Sequence, residues 1–86
     1  MKTVFKYPLE VADTISVSLP VGAKPLRFDF QGYQLCLWAL VDRDATLVKP
    51  FFFRMAGTGH DLKNPEMEYV NTAFIDNLVF HFFWLP

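Results

Sequence analysis

Hydrophobic and polar residues alternate with a dominant period of two along this chain, the signature of strands with one buried face. In Thr14-Ile15-Ser16-Val17-Ser18-Leu19 the residues Ile15, Val17 and Leu19 share one side, and Pro20-Val21-Gly22 follows as a turn. Leu26, Phe28 and Phe30 then alternate with Arg27, Asp29 and Gln31, which predicts a half-buried antiparallel strand with a wet face. Gln31-Gly32 supplies a tight reversal. Over residues 33–41 both faces are apolar: Tyr33, Leu35, Leu37, Ala39 and Val41 oppose Cys36, Trp38 and Leu40. A strand of that kind lies at the centre of a sheet or is covered on its second side.

Asp42-Arg43-Asp44-Ala45-Thr46 ends that run, and residues 47–56 predict a further strand, with Phe51, Phe53 and Met55 opposing Phe52, Arg54 and Ala56. Pro50 has no N–H, so this strand is expected at a sheet edge or to start late. After Gly57-Thr58-Gly59-His60-Asp61 and an Asn64-Pro65 turn, residues 66–72 read two ways. Pro65 suits the first turn of a short helix, whereas Tyr69, Val70 and Thr72 favour sheet. A helical turn passing into a strand over residues 69–74 is the expectation. Asp76-Asn77 turns the chain into a last strand over residues 78–85, and residues 4–9 form one more at the start. The sum is a mostly β fold, a small antiparallel sandwich or barrel-like meander of six or seven short strands with at most one short helical turn. It is expected to form a single domain over residues 1–86.

Composition adds a tension to that picture. A folded chain of 86 residues and 10.0 kDa buries about 64% of its surface, enough for a thin core. Ten phenylalanines, within an aromatic share of 17%, are more than such a core hides easily. Part of the aromatic surface is therefore expected to be covered by a second copy or a partner, which predicts a homo-oligomer. The competing reading is one efficient core with a few ordinary exposed rings. Eight Lys plus Arg against nine Asp plus Glu give a net charge of −1, without the basic excess of a direct nucleic-acid binder. The single Cys36 cannot form an intrachain disulfide and fits a reducing cytoplasm. The start of the chain shows no long apolar run, so no signal peptide is expected. The longest apolar tract, residues 78–85, is interrupted by His81 and too short to span a bilayer as a helix, so no membrane partner is expected.

Candidate chemistry centres on Gly57-Thr58-Gly59-His60. Two glycines after a strand let backbone N–H groups converge on an anion, with Thr58 and His60 as added donors. No Lys-Ser/Thr ending follows, so this is not a phosphate loop, and the plain alternative is a turn that needs positive φ. Arg54, behind Phe51-Phe52-Phe53, either stacks on a base or pairs with a phosphate, or else sits on a wet sheet face in a cross-strand ion pair. His81, between Phe80 and Phe82, reads as a partly buried histidine donating to a carbonyl, with an interfacial role second. One Cys and two distant His do not make a metal site, and Cys36, Ser16 and Ser18 have no context for nucleophilic catalysis. Asp42 and Asp44 straddle a loop with nothing to hold a substrate between them. No enzyme and no cofactor are indicated.

Four pieces occur in order: Phe5-Lys6-Tyr7-Pro8-Leu9, Leu37-Trp38-Ala39-Leu40-Val41-Asp42, Gly57-Thr58-Gly59-His60 and Leu78-Val79-Phe80-His81-Phe82-Phe83. Together they resemble a family of short, uncharacterised proteins encoded by tailed phages and prophages, over nearly the whole chain. The resemblance maps the recurring Gly-Thr-Gly-His onto Gly57, Thr58, Gly59 and His60, and the Trp and His positions onto Trp38 and His81. It carries no catalytic residue. The apolar ending Phe83-Trp84-Leu85-Pro86 departs from the acidic ending of the family and adds weight to a buried or interfacial C-terminus. What the resemblance implies is a phage accessory binding protein in the host cytoplasm. It would antagonise a host defence by sequestering a nucleotide-type signal or by occupying a defence protein. The alternative is a structural or assembly protein of the phage particle. A ligand would meet Gly57, Thr58, Gly59, His60 and Arg54, and an interface would use Trp38, Phe52, His81, Phe83 and Trp84.

Overall fold

The structure, a computed structural model, describes residues 1–63 and 66–86. It contains seven strands, β1 (Lys2–Leu9), β2 (Thr14–Pro20), β3 (Lys24–Gln31), β4 (Gln34–Asp42), β5 (Val48–Gly57), β6 (Glu68–Ile75) and β7 (Leu78–Leu85). They form two antiparallel sheets, one of three strands ordered β1-β4-β3 and one of four ordered β2-β5-β7-β6. Of the sandwich and the barrel-like meander that the period-two pattern allows, the two separate sheets make this the sandwich, and no helix occurs among the described residues.

The two sheets meet through the apolar row of each strand. Phe28 of β3 stacks on Phe82 of β7 at 4.4 Å between ring centroids and meets Phe53 of β5 edge-on at 5.0 Å. Leu19, Leu35, Leu37 and Val41 fill the space around these three rings, and all are fully buried. On one side the layers are linked by a side chain acting as a strand. The Asn71 carboxamide accepts from the Phe28 N–H at 2.8 Å and donates to the Phe28 carbonyl at 2.7 Å, so β3 and β6 are bridged where no ladder joins them. The opposite side, between β1 and β2, has no such bridge in the described structure. The molecule is flat, 40 × 31 × 17 Å, and its surface of 5614 Å² exceeds the roughly 5,200 Å² expected for its mass.

Four expectations change. The strand expected over residues 69–74 forms and already begins at Glu68, where β7 offers a ladder partner, so the helical reading of residues 68–72 gives way. Pro65, on which the helical turn rested, lies outside the described residues. Tyr33 is 77% exposed in the β3–β4 turn and not on the buried row, since the strand starts only at Gln34. Leu26 falls at a bulge between Pro25 and Arg27, which throws its side chain outward. Finally, β5 lies inside its sheet. Pro50 is tolerated because β7 pairs with β5 only from Phe52 onward, leaving that flank free where the N–H is missing. The expected Asn64-Pro65 turn lies outside the described residues. The Asp76-Asn77 reversal is present, with Asp76 at φ 50°, a conformation that Asp adopts more readily than most residues.

Candidate functional site

β5 and β7 are apolar on both sides, and only one side of each faces the core. In register across the four-stranded sheet, Arg54 opposes Phe83, Phe83 opposes Tyr69, and Phe74 opposes Val79, which places these side chains on the outward face. Phe52 beside Leu85 extends the row. Phe74 is 67% exposed, Tyr69 58% and Phe52 45%, so the outward face is an aromatic surface open to solvent. Tyr69 meets Phe83 edge-on at 5.8 Å, so these two rings hold each other in place.

His81 stands in the middle of this face. Its Nδ1 lies 2.9 Å from the Thr72 hydroxyl and its Nε2 lies 2.9 Å from the Thr58 hydroxyl; Thr72 is in turn 2.6 Å from the Tyr69 hydroxyl. The expected carbonyl partner is replaced by two threonines, because β6 puts Thr72 directly across from His81. This chain of contacts ties the 57–60 loop to the sheet. With both ring nitrogens engaged, the His81 ring is fixed in its orientation within the face.

The loop itself is a closed turn. The His60 N–H donates to the Gly57 carbonyl at 3.1 Å, and the Gly57 N–H donates to His60 Nδ1 at 3.2 Å. Two of the amides that an anion cradle needs are thus engaged inside the loop. The two glycines have different reasons. Gly59 has φ 89°, which an L side chain tolerates poorly. Gly57 has no positive φ, but a Cβ there would come within 3.0 Å of the His60 ring.

The structure separates the residues that the sequence grouped. Gly57, Thr58 and His60 line a shallow depression of about 310 Å³ with residues 77–80. Arg54 lines a different one of about 360 Å³ with Thr14, Asp61, Lys63, Met67 and Leu85. Its guanidinium donates to the Asp13 and Met55 carbonyls at 3.1 and 2.7 Å and faces the Asp13 carboxylate at 3.4 Å, pinning the β1–β2 connection. Of the interface set, Phe52, His81 and Phe83 share the aromatic face. Trp84 does not: it points inward, stacks on Phe51 at 5.6 Å and packs against the core. Trp38 is on the outer face of the other sheet, in register with Lys6 and Arg27.

Tyr69, Thr72 and Phe74 belong to the face and were not singled out from the sequence. A bulge between Tyr69 and Asn71 is the reason. It puts Tyr69 and Thr72, one odd and one even position, on the same side, which strict alternation does not allow. The groups with displaced pKa values lie on the three-stranded sheet. Asp42 is held below the usual carboxylate range by the Asp44 N–H and then by the Met1 ammonium, while burial raises the Tyr7 phenol. Among the described residues no group of three or more His, Cys, Asp or Glu is placed to hold a metal, and no helix is long and apolar enough to cross a membrane.

Residues 1–86 match the family described as "Domain of unknown function (DUF7352)", and the chain belongs to that family. No curated protein and no solved structure matches it.

Proposed function

We propose that this DUF7352 protein is a non-enzymatic binding protein that works by covering its aromatic sheet face with another protein surface. The observation that carries this reading is the outward row of Phe52, Phe83, Tyr69 and Phe74 on a rigid four-stranded sheet, with His81 locked at its centre. Aromatic rings held by neighbouring strands lose little freedom on binding and are the residues that dominate protein interfaces. The same surplus of rings supports self-association into a homo-oligomer. The resemblance to phage-encoded proteins supplies the context: a host-defence antagonist in the host cytoplasm that occupies a defence protein, or alternatively a component that packs into the phage particle. Sequestering a nucleotide has less support, because the 57–60 loop engages its own donors and Arg54 lines a separate depression.

Native mass spectrometry of the protein purified from its host cells tests the reading. A discrete oligomer or a stoichiometric complex with one other polypeptide is expected, lost in the Phe74→Asp and Phe83→Asp variants while far-UV circular dichroism stays unchanged. A species carrying added small-molecule mass would replace protein occupation by sequestration. A clean monomer, with the two variants behaving as wild type in every pull-down, would overturn both.

A further inference from the structure

Each sheet has two terminal strands, and three of the four are defended against further pairing. β3 and β6 face each other across the Asn71 bridge, and each carries a bulge. β1 exposes Lys2 and Lys6 and includes Pro8, whose missing N–H breaks the row of donors. β2 has none of these devices. Its sequence Thr-Ile-Ser-Val-Ser-Leu-Pro carries no charge, and its one proline is the last residue.

The register shows which backbone groups are left over. Met55 donates to the Asp13 carbonyl, and Ile15, Val17 and Leu19 oppose Phe53, Phe51 and Lys49, so odd residues face β5. Thr14, Ser16 and Ser18 therefore point their N–H and C=O groups away from the sheet. A groove of about 480 Å³ runs along this edge, lined by Pro8, Leu9, Glu10, Ala12 and residues 14–18. Above it, Phe5 lies on the core-facing side of β1 beside the fully buried Ala39, yet is 44% exposed. The four-stranded sheet thus stops short beneath β1, and one more strand beside β2 would complete the layer under Phe5.

We propose that the free edge of β2 is a strand-addition site for an extended segment of another polypeptide, apolar at alternate positions and ending in a basic residue. Main-chain hydrogen bonds to Thr14, Ser16 and Ser18 supply the pairing, and the alternate apolar side chains pack under Phe5 beside Ile15 and Val17. Added antiparallel, like every other pair in the sheet, the segment places its C-terminal end beside Thr14 and Glu10, and Glu10 selects a Lys or Arg there. A second copy of β2 offers the alternation but no cation, and two-fold pairing would bring both overhanging β1 strands to the same place. This site is separate from the aromatic face and stands or falls independently of it.

The test uses the full chain and a synthetic peptide, Thr-Val-Thr-Val-Thr-Val-Lys, followed by amide hydrogen exchange and calorimetry. Binding is expected to slow exchange at the Ser16 and Ser18 amides. Methylating the peptide's β2-facing nitrogens is expected to weaken it at least about ten-fold, the worth of one or two backbone hydrogen bonds. Ser16→Pro, which removes an outward N–H and leaves the β5 ladder intact, is expected to weaken it similarly. Should that variant misfold, the methylated peptide carries the test on the wild-type chain. Unprotected Ser16 and Ser18 amides at saturating peptide, or indifference to methylation, would overturn the site. Protection that rises with protein concentration in the absence of peptide would also overturn it, by assigning the edge to a second copy.

Discussion

The outer faces of the two sheets start from similar strands and end differently. β4 and β7 are both apolar on both sides. On the three-stranded sheet, β4 is flanked by long polar side chains: Lys6 crosses over it to donate to Gln31 at 2.8 Å, and Arg27 pairs with Asp29 at 3.1 Å. Cys36 is buried there although it faces outward. Lysine and arginine stems cover apolar surface while their charged heads remain in water. On the four-stranded sheet, the outward neighbours of β7 include Phe52, Tyr69 and Phe74, which add apolar surface, and the one long cation among them, Arg54, spends its guanidinium on the Asp13 and Met55 carbonyls. An apolar second face is thus not itself a binding surface. Its neighbours across the sheet decide whether the chain covers it or leaves it open to solvent.

The largest expected effect removes the platform that both faces share. Phe28→Ala deletes the ring between Phe82 and Phe53 and is expected to cost about 3–5 kcal/mol, a large part of a small domain's stability. Urea unfolding measures it, and a loss below about 1 kcal/mol would show that the two sheets do not depend on this stack. Next, Asn71→Ala leaves the Phe28 N–H and C=O without their side-chain partner. A cost of about 2 kcal/mol is expected, with faster amide exchange at Phe28 while the ladder of β2 with β5 is unchanged. Equal loosening of β2 would mean that this seam is not where the layers are joined.

A matched pair sharpens the comparison directly. Trp38→Ser and Phe83→Ser each remove a half-buried ring from one outer face, at about 1–2 kcal/mol of stability. Only Phe83→Ser is expected to weaken self-association or partner capture by more than about ten-fold. Equal losses in both would erase the distinction between the faces. The smallest effect belongs to the rim of the charged sheet. Asp42 has its carboxyl pKa lowered in the fold by the Asp44 N–H and the Met1 ammonium, so its contribution is present above the ordinary carboxylate range and fades as pH falls through the lowered value. Asp42→Asn is expected to flatten the acid limb of the stability profile slightly and leave the neutral limb alone. An unchanged acid limb would place the linkage elsewhere.

Much of the fold was legible because strand residues alternate in pairs and turns carry their own chemistry. Ile15, Val17 and Leu19 share one side as read, as do Phe51, Phe53 and Met55, and the fold turns both rows to the core; Gly32 and Asp76 reverse the chain with positive φ. The candidate site was legible only in part. Phe52, His81 and Phe83 were found because a buried-type residue on the second face of a strand is visible in sequence. Tyr69 and Thr72 were hidden by a bulge, and Trp84 was misplaced because two-sided strands give no hint of which side faces in.

The sequence by itself determined a mostly β fold of six or seven short strands, the turns between them and the excess of aromatic side chains, since each depends on composition or on spacing within a few residues. The tertiary structure alone decided which excess is covered, that Asn71 joins the layers on one side, and that β2 keeps an unpaired edge on the other. Those outcomes depend on which strands become neighbours. Pairing between residues tens of positions apart is fixed by the closing of the whole core and not by any segment's own pattern.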